Sequence, residues 1–532
     1  MGADEPAASY ESYTGELRSG LRPVGMHRLP EIRETTIESY GGKTVRALLA
    51  FPVNRDELRG AFAFALQKGF SVTFRGGGHA FDTQSLNDKL VISLEKLRRI
   101  DVDGNSATVT AEAGARWGDI LAKCTAAGMV PHVMVTTHTA TAGGTLSSNS
   151  LSRFSPTLGR EGQHVLRFSL MTLDGVVHEC SRDQNPDLFF SVIGGLGFVG
   201  AVLDVTHQLL PLRIAPRNIA VATTFTKVTG LENIAKGLVS HIRKKAGGKP
   251  VALYREAAAS ARRDPAENVW AVSAVVYMQG QEVGLIAKSQ YSDTPPRSLK
   301  RSVFHSPNSP GAWLLQVAAL FPVLRDIGYR LVLLGYDQPK DYVDELQGYT
   351  FFEDGNRNLR MVGRAFGLPM GIHQHTFIVP FDPLTPPAPG GDDPSSGPLE
   401  RFLGDARSTF AAEKVSPTLI DVLYLPDDGG DRFLLSSSFQ MPGFAVTFTF
   451  EDPFSASFED ERRALGSLVS KCQELGGRVH LVKNVDATAK QVMAMYGQRV
   501  DEMALERTRR GATARVSNDF MKKVLPELEP PS

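Results

Sequence analysis

Three consecutive glycines straight after a short strand constrain this chain more than any other feature. Ser71-Val72-Thr73-Phe74 reads as the strand, and Arg75-Gly76-Gly77-Gly78-His79-Ala80-Phe81-Asp82 follows it. Residues without a Cβ take positive φ freely, so several backbone N–H groups can converge on one anion. A pyrophosphate suits such a loop. A tight turn with no ligand is an equal reading of these residues alone.

A second small-residue stretch is Thr139-Ala140-Thr141-Ala142-Gly143-Gly144-Thr145-Leu146-Ser147-Ser148-Asn149. It suits close approach by a flat or phosphorylated ligand, and equally a Ser/Thr-rich loop. The third stretch, Leu188 to Gly200, places Gly195, Gly197 and Gly200 at G-x-G-x-x-G spacing. A Rossmann fingerprint needs a strand before it, a helix after it and an acid about 20 residues on. Here the preceding run looks helical and Ala201-Val202-Leu203-Asp204-Val205-Thr206 looks like a strand. No acid lies between Asp204 and Glu232. A Rossmann NAD site is therefore not expected.

The chain has 532 residues, which suggests two or more folded units. Residues 1–30 read as a loose entry segment. Between Val45 and Ala127 short strands mix with helices at Arg55 to Lys68 and Trp117 to Ala127. Val199 to Leu210 reads as a strand stopped by Pro211. Residues 214–480 read as a second α+β unit, with strands at Asn218 to Phe225, Val269 to Met278, Thr376 to Pro380 and Phe444 to Phe450. Helical runs lie at Val228 to Lys245 and Phe458 to Leu475. Asp382 to Pro398, rich in Pro, Gly, Asp and Ser, reads as a mobile loop.

Lys plus Arg and Asp plus Glu both total 58, so there is no basic surplus to suggest a nucleic-acid partner. Three scattered cysteines make neither a disulfide framework nor a zinc site. The N-terminus lacks the apolar core of a signal peptide, and no run of 18 apolar residues appears, so a cytoplasmic protein without a membrane span is expected.

Together the glycine stretches resemble the FAD-binding domain of the vanillyl-alcohol oxidase and para-cresol methylhydroxylase (PCMH) superfamily. The likeness runs over residues 31–213 and includes Leu173-Asp174-Gly175 after a strand. Gly476 to Asn484, Met495-Tyr496-Gly497 and Asn518-Asp519-Phe520 look like the end of decaprenylphosphoryl-ribose oxidase and of aldonolactone oxidases. Ser152-Arg153-Phe154-Ser155-Pro156-Thr157-Leu158-Gly159 stands where those enzymes often carry His-Gly, and reads closer to the sterol Δ24-reductase branch.

The resemblance implies a cofactor, FAD, held by Arg75, Gly76, Gly77, Gly78, His79, Ala80 and Phe81. It extends that site to Thr141, Gly143, Gly144, Ser148, Asn149, Ser152, Gly195, Val199 and Asn518. It implies a covalent bond from His79 to the flavin 8α-methyl, with a non-covalent contact at the dimethylbenzene edge as the alternative. Met134 to Thr137 holds no cysteine for a second linkage. Lys483, expected on a strand, matches a lysine beside the flavin in these relatives, against an ordinary surface lysine.

In Gly371-Ile372-His373-Gln374-His375-Thr376-Phe377, period-2 geometry sends both histidines to one face and Gln374 and Thr376 to the other. The alignment turns Gln374 toward the substrate and leaves His375 a weaker candidate base; a strand whose polar residues face solvent is an equal reading of these residues. The histidine pair lacks a third ligand, so no metal site is expected.

The expected fold class is α+β. A two-part PCMH-type FAD-binding domain, from residues 31–213 with a C-terminal segment at 481–532, joins an α+β substrate (cap) domain at 214–480. The expected function is oxidation of a C–OH on a small polar, sugar- or polyol-like substrate, with O2 or another acceptor taking the electrons. A desaturating or cyclising tailoring enzyme and a sterol-type reductase are the alternatives. A flavin-fold binding module without catalysis is a further one.

Overall fold

The computed structural model describes residues 27–212, 214, 219–246, 269–278, 282–294, 322–353, 363, 365–385, 397–452, 454, 457–513 and 515–529. Most of the entry segment and most of the Pro/Gly-rich loop, at 386–396, lie outside the described residues.

Three sheets organise the chain. The first holds β1 (Glu31–Glu38), β2 (Thr44–Phe51), β3 (Val72–Arg75) and β4 (Leu90–Ser93) in the order β1-β2-β4-β3. β1 and β2 form an antiparallel hairpin, while β4 runs parallel to both its neighbours. The parallel crossover from β2 to β3 is α1 (Arg55–Lys68). Its start is fixed by a reciprocal cap: Asn54 Oδ1 accepts from the Glu57 N–H at 2.9 Å, and the Glu57 carboxylate accepts from the Val53 N–H at 3.1 Å. Such a cap contributes about 1 kcal/mol. Leu58, Ala61, Phe62 and Ala65, at helical spacing, are buried against the sheet.

The second sheet holds β5 (Ile100–Asp103), β6 (Thr108–Glu112), β7 (Met129–Pro131), β8 (Val165–Met171), β9 (Val177–Ser181) and β10 (Ala201–Pro211). Its order is β5-β6-β10-β8-β9, with β7 pairing the end of β10. Three helices serve it: α2 (Trp117–Ala126), α3 (Ala142–Ser148) and α4 (Pro186–Val192). The third glycine stretch thus has a helix before it and a strand after it, the reverse of a Rossmann turn.

The third sheet has eight strands: β11 (Ala220–Thr229), β12 (Trp270–Tyr277), β13 (Val283–Ser292), β14 (Lys340–Glu345), β15 (Gly371–Pro380), β16 (Leu419–Leu425), β17 (Gly443–Asp452) and β18 (Arg478–Val479). They run antiparallel in the order β14-β11-β13-β12-β16-β17-β15-β18. α5 (Leu231–Ala246), α6 (Pro398–Glu413) and α7 (Glu459–Glu474) cover one face. Phe377 and His373 of β15 point to that face, meeting Phe402 and Phe458 with ring centroids 5.1 and 5.7 Å apart. The opposite face of the sheet is left for the site.

After α8 (Gln498–Arg509) the chain returns to the first sheet and ends with α9 (Asp519–Val524). Val516 bridges Val72 of β3, and Thr73 Oγ1 donates to Ser517 O at 2.8 Å. Arg507, fully buried, donates to Phe198 O, to Val516 O at 2.9 Å and to Leu528 O at 3.2 Å. One guanidinium thus holds the third glycine stretch and the C-terminal segment together.

Several features differ from the sequence reading, which named no strand at β9, β13, β14 or β16. β1 and β5 were not expected, because both are short of apolar residues and carry their charges at sheet edges. Lys483 lies on a turn beyond the two-residue β18, not on a strand. Among the described residues no helix is long and apolar enough to cross a membrane.

Arg507→Met strips three buried carbonyls of their donor, so thermal or urea unfolding should show a loss of about 3 kcal/mol. Arg507→Lys, with no planar fork, should recover less than half of it. Wild-type stability in Arg507→Met would contradict the bracing role.

Candidate functional site

A cavity of about 350 Å³ opens where the ends of the first two sheets meet the uncovered face of the third. Two loops form its first wall. A Cβ on Gly76 would stand 2.2 Å from Thr141 Oγ1, and one on Gly77 would stand 2.3 Å from Thr139 O. Both distances are far inside van der Waals contact, so these residues must be glycine for the first two glycine stretches to touch. Arg75 braces the turn from behind, donating to Glu38 O at 2.8 Å and to Ser85 Oγ at 3.3 Å. His79 borders the cavity, and Thr139 Oγ1 lies 2.8 Å from its Nε2.

The third sheet supplies the facing wall through its register. Thr376 of β15 stands opposite Thr447 of β17, Thr447 opposite Asp421 of β16, and Asp421 opposite Val275 of β12. All four side chains line the cavity in one row. Thr376 and Thr447 join hydroxyls at 2.8 Å. Gln374, two residues before Thr376 on the same face of β15, donates from Nε2 to Thr449 Oγ1 at 3.0 Å, and its Oε1 has no hydrogen-bond partner among the described residues.

Besides Arg75 on the glycine loop, four charged side chains line the cavity: Arg153, Glu353, Asp421 and Lys483. Burial pushes the Asp421 carboxyl up to about 7; the Glu353 charge adds to the rise, and Arg153 and Lys483 oppose it. Burial likewise lowers the Lys483 ammonium, against the pull of Glu353 and Asp421. Arg153 stacks on the Phe352 ring at 3.8 Å and on Tyr349 at 4.9 Å, which holds its guanidinium plane. Lys483 Nζ sits 4.0 Å over the ring of Phe81.

The turn bearing Lys483 is clipped to β15 without being a strand. His480 N donates to Thr376 O at 2.8 Å and Asn484 N to Gln374 O at 2.8 Å, while Asn484 Oδ1 accepts from Gln374 N at 2.9 Å. Behind β15, Asp486 Oδ2 lies 2.7 Å from His373 Nε2 and 3.2 Å from His375 Nδ1, and Arg462 Nε donates to Oδ1 at 3.1 Å. Burial works to raise the Asp486 carboxyl, yet the bonds from the two histidines hold it well below the carboxylate range.

Of the residues proposed from sequence, 75–81, Thr141, Gly143, Gly144, Ser148 and Ser152 border the cavity, as do Gln374 and Lys483. His375 does not reach it. It is fully buried on the opposite face of β15, stacked on Phe377 at 4.3 Å, and its pKa is lowered by burial. The alternation that aims Gln374 inward turns His375 away, so a role as base is not compatible with this placement. Asn149, Gly195, Val199 and Asn518 also stand behind the lining. Asn149 Oδ1 accepts from Gly162 N at 2.9 Å, and Asn518 caps α9 while donating to Gln84 O at 2.8 Å.

Sequence reasoning did not find Asp421, Glu353 and Arg153. An acid inside the apolar run Leu419 to Leu425 was the available signal for Asp421. Arg153 lies in the stretch that departs from the His-Gly pattern. Glu353 carried no local signal. The histidine pair does meet a third side chain, the carboxylate of Asp486, but as a hydrogen-bonded cluster; among the described residues no group of three or more ligands could hold a metal ion.

Residues 47–181 match the family model described as FAD binding domain. Cytokinin dehydrogenase 3 of Arabidopsis thaliana is 32% identical over 160 residues, 29% of this chain and 30% of that protein. L-gulonolactone oxidase of Bos taurus is 28% identical over 194 residues, 36% and 42% of the two chains. An uncharacterised oxidoreductase, ORF5 in the fasciation locus of Rhodococcoides fascians, is 26% identical over 189 residues, 35% and 43%. The match thus spans between 30% and 43% of these relatives' lengths. The lining fits a bound cofactor. Thr141 Oγ1 and Gln374 Oε1 are buried polar atoms without a partner among the described residues, and both side chains border the cavity.

Gly76→Ala should release FAD from the purified protein, because its methyl meets Thr141 Oγ1. Gly76→Ala with Thr141→Ala, which removes that oxygen, should recover part of the flavin content measured by absorbance. Full flavin content in Gly76→Ala alone would refute the contact.

Proposed function

We propose that this chain, which carries a PCMH-type FAD-binding domain, is an oxidoreductase that oxidises a carbon bearing a hydroxyl on a small polar, sugar- or polyol-like molecule. The single observation that carries this reading is the row Thr376–Thr447–Asp421 facing the glycine loops in a cavity that also holds Lys483. FAD, when bound, would supply the acceptor for one hydride, that is, two electrons and one proton.

The rest falls to the side chains. The Asp421 carboxylate takes the hydroxyl proton as the C–H bond is given up, and a pKa near 7 matches a general base at neutral pH. The Lys483 ammonium sets positive charge where negative charge develops on the cofactor, an effect worth roughly 3 kcal/mol when preorganised. Gln374 offers Oε1 to a second substrate hydroxyl, its amide being turned by Thr449. Residues 75–81 with Thr141, Gly143, Gly144, Ser148 and Ser152 hold the cofactor, and Asn149, Gly195, Val199 and Asn518 support that wall from behind. His79, steadied by Thr139, makes the covalent bond to the flavin methyl. In domain terms, residues 31–213 with 481–532 form the FAD unit and 214–480 the substrate unit. With FAD bound, O2 or another small acceptor would take the electrons.

Four charged side chains support a polar substrate over a sterol. An apolar occupant would remove their water without replacing its hydrogen bonds, at a cost of roughly 2–7 kcal/mol for each polar group so stranded. Leu151, Val275, Leu423 and Ala445 line the same cavity and favour a second reading, a tailoring enzyme whose substrate carries an apolar segment.

Anaerobic mixing with sugars and polyols should bleach the flavin, at a rate that rises with pH through about 7 as Asp421 ionises and levels off above it. Asp421→Asn should slow bleaching at least about a hundredfold and remove that rise. Bleaching by NAD(P)H alone would replace the oxidase by a reductase. Acid precipitation of the wild-type protein should leave a yellow pellet, and His79→Ala a colourless one. Flavin released from wild type into the supernatant would contradict the covalent bond.

A further inference from the structure

Gln84 lies five residues beyond His79, buried at the edge of the cavity. Backbone engages its amide throughout. Oε1 accepts from the Asp82 N–H at 3.0 Å, and Nε2 donates to Leu481 O at 3.2 Å and to Lys483 O at 2.9 Å. Exchanging the amide oxygen and nitrogen would set an oxygen against two carbonyl oxygens, so the surroundings fix which is which. Both N–H groups are used, which leaves the amide no donor for a ligand. The Gln84 carbonyl accepts from Asn518 Nδ2, so the same residue also receives the C-terminal segment.

Other contacts join the same two pieces of chain. Asn484 Nδ2 lies 3.5 Å from Phe81 O, and Lys483 Nζ rests over the Phe81 ring. β15 holds the Lys483 turn on one side through His480 and Asn484, and Gln84 holds it on the other. A lysine side chain carries about 2 kcal/mol of rotamer entropy. Its ammonium is therefore placed only as well as the backbone beneath it.

We propose that Gln84 is a positioning residue for Lys483, tying the loop that bears His79 to the turn that bears the lysine. Seating the cofactor loop and placing the ammonium then become one event. This inference rests on the proposed role of Lys483 beside the flavin.

Sulfite titration of the bound flavin tests it without any substrate. The sulfur lone pair forms a bond to N5 and reduces the ring, whose new negative charge a nearby cation stabilises. Lys483→Met should weaken sulfite binding at least about tenfold. Gln84→Met, close to glutamine in volume but without amide donors, should weaken it roughly three- to tenfold with flavin content near wild type, while Tm falls because the Asp82 N–H and the Leu481 and Lys483 carbonyls lose their partner. The double variant should bind no more weakly than Lys483→Met alone. Wild-type affinity in Gln84→Met, or a double variant whose loss is the product of the two, overturns the proposal. Should Gln84→Met lose its flavin, Gln84→Glu keeps the size, sets a carboxylate against the two carbonyls, and is read by the same criteria. Unchanged affinity in Lys483→Met would overturn the assignment of the lysine itself, a result separate from any failure of the Gln84 variants.

Discussion

Two loops that touch without room for a side chain set the geometry of everything around them. Gly76 and Gly77 lie against Thr141 and Thr139 so closely that a single added methyl group has nowhere to go. The glycines therefore do two things. They let β3 end directly against the approach to α3, and they leave the turn itself to Gly78, the one of the three with positive φ, at 75°. Were the loops a few ångströms apart, His79 would lose Thr139 and Thr141 would no longer border the cavity. The FAD-binding domain thus depends on contact between two sequence-distant stretches more than on either stretch alone.

The opposite wall depends on register. In an antiparallel sheet, a row of side chains on one face comes from residues far apart in the chain, here Thr376, Thr447, Asp421 and Val275. A slip of one residue in β16 would turn Asp421 toward α5–α7 and bring an apolar neighbour into the cavity. Burial of Asp421 near other charges raises its pKa, and burial of Lys483 lowers its own. Each shift arises from the same enclosure, so the Asp421 carboxyl and the Lys483 ammonium are tuned together rather than separately.

Much of the cofactor wall was legible in the sequence, because its signals are local. A strand running into Gly76-Gly77-Gly78, a small-residue stretch at 139–149 and a helix-before-strand order around Gly195 can each be read within a dozen residues. The alternation of β15 correctly separated Gln374 from His375. What escaped were residues whose role comes from long-range placement. Asp421 needed the order β16-β17-β15, Glu353 needed its backbone bond to Thr136, and Gln84 needed a turn almost four hundred positions away. Asn149, Gly195 and Val199, assigned to the cofactor site by the family resemblance, stand outside the cavity lining. β1 escaped because an edge strand carrying Glu31, Arg33, Glu34 and Glu38 shows almost no apolar alternation.

The chemistry proposed for Asp421, Gln374 and Lys483 depends on where the flavin ring lies. A crystal structure of the protein with FAD bound measures that directly. The ring system should extend from His79 toward Lys483, with Asp421 and Gln374 facing it across the open part of the cavity. A ring found outside that space, or His79 remote from its dimethylbenzene edge, would contradict the account.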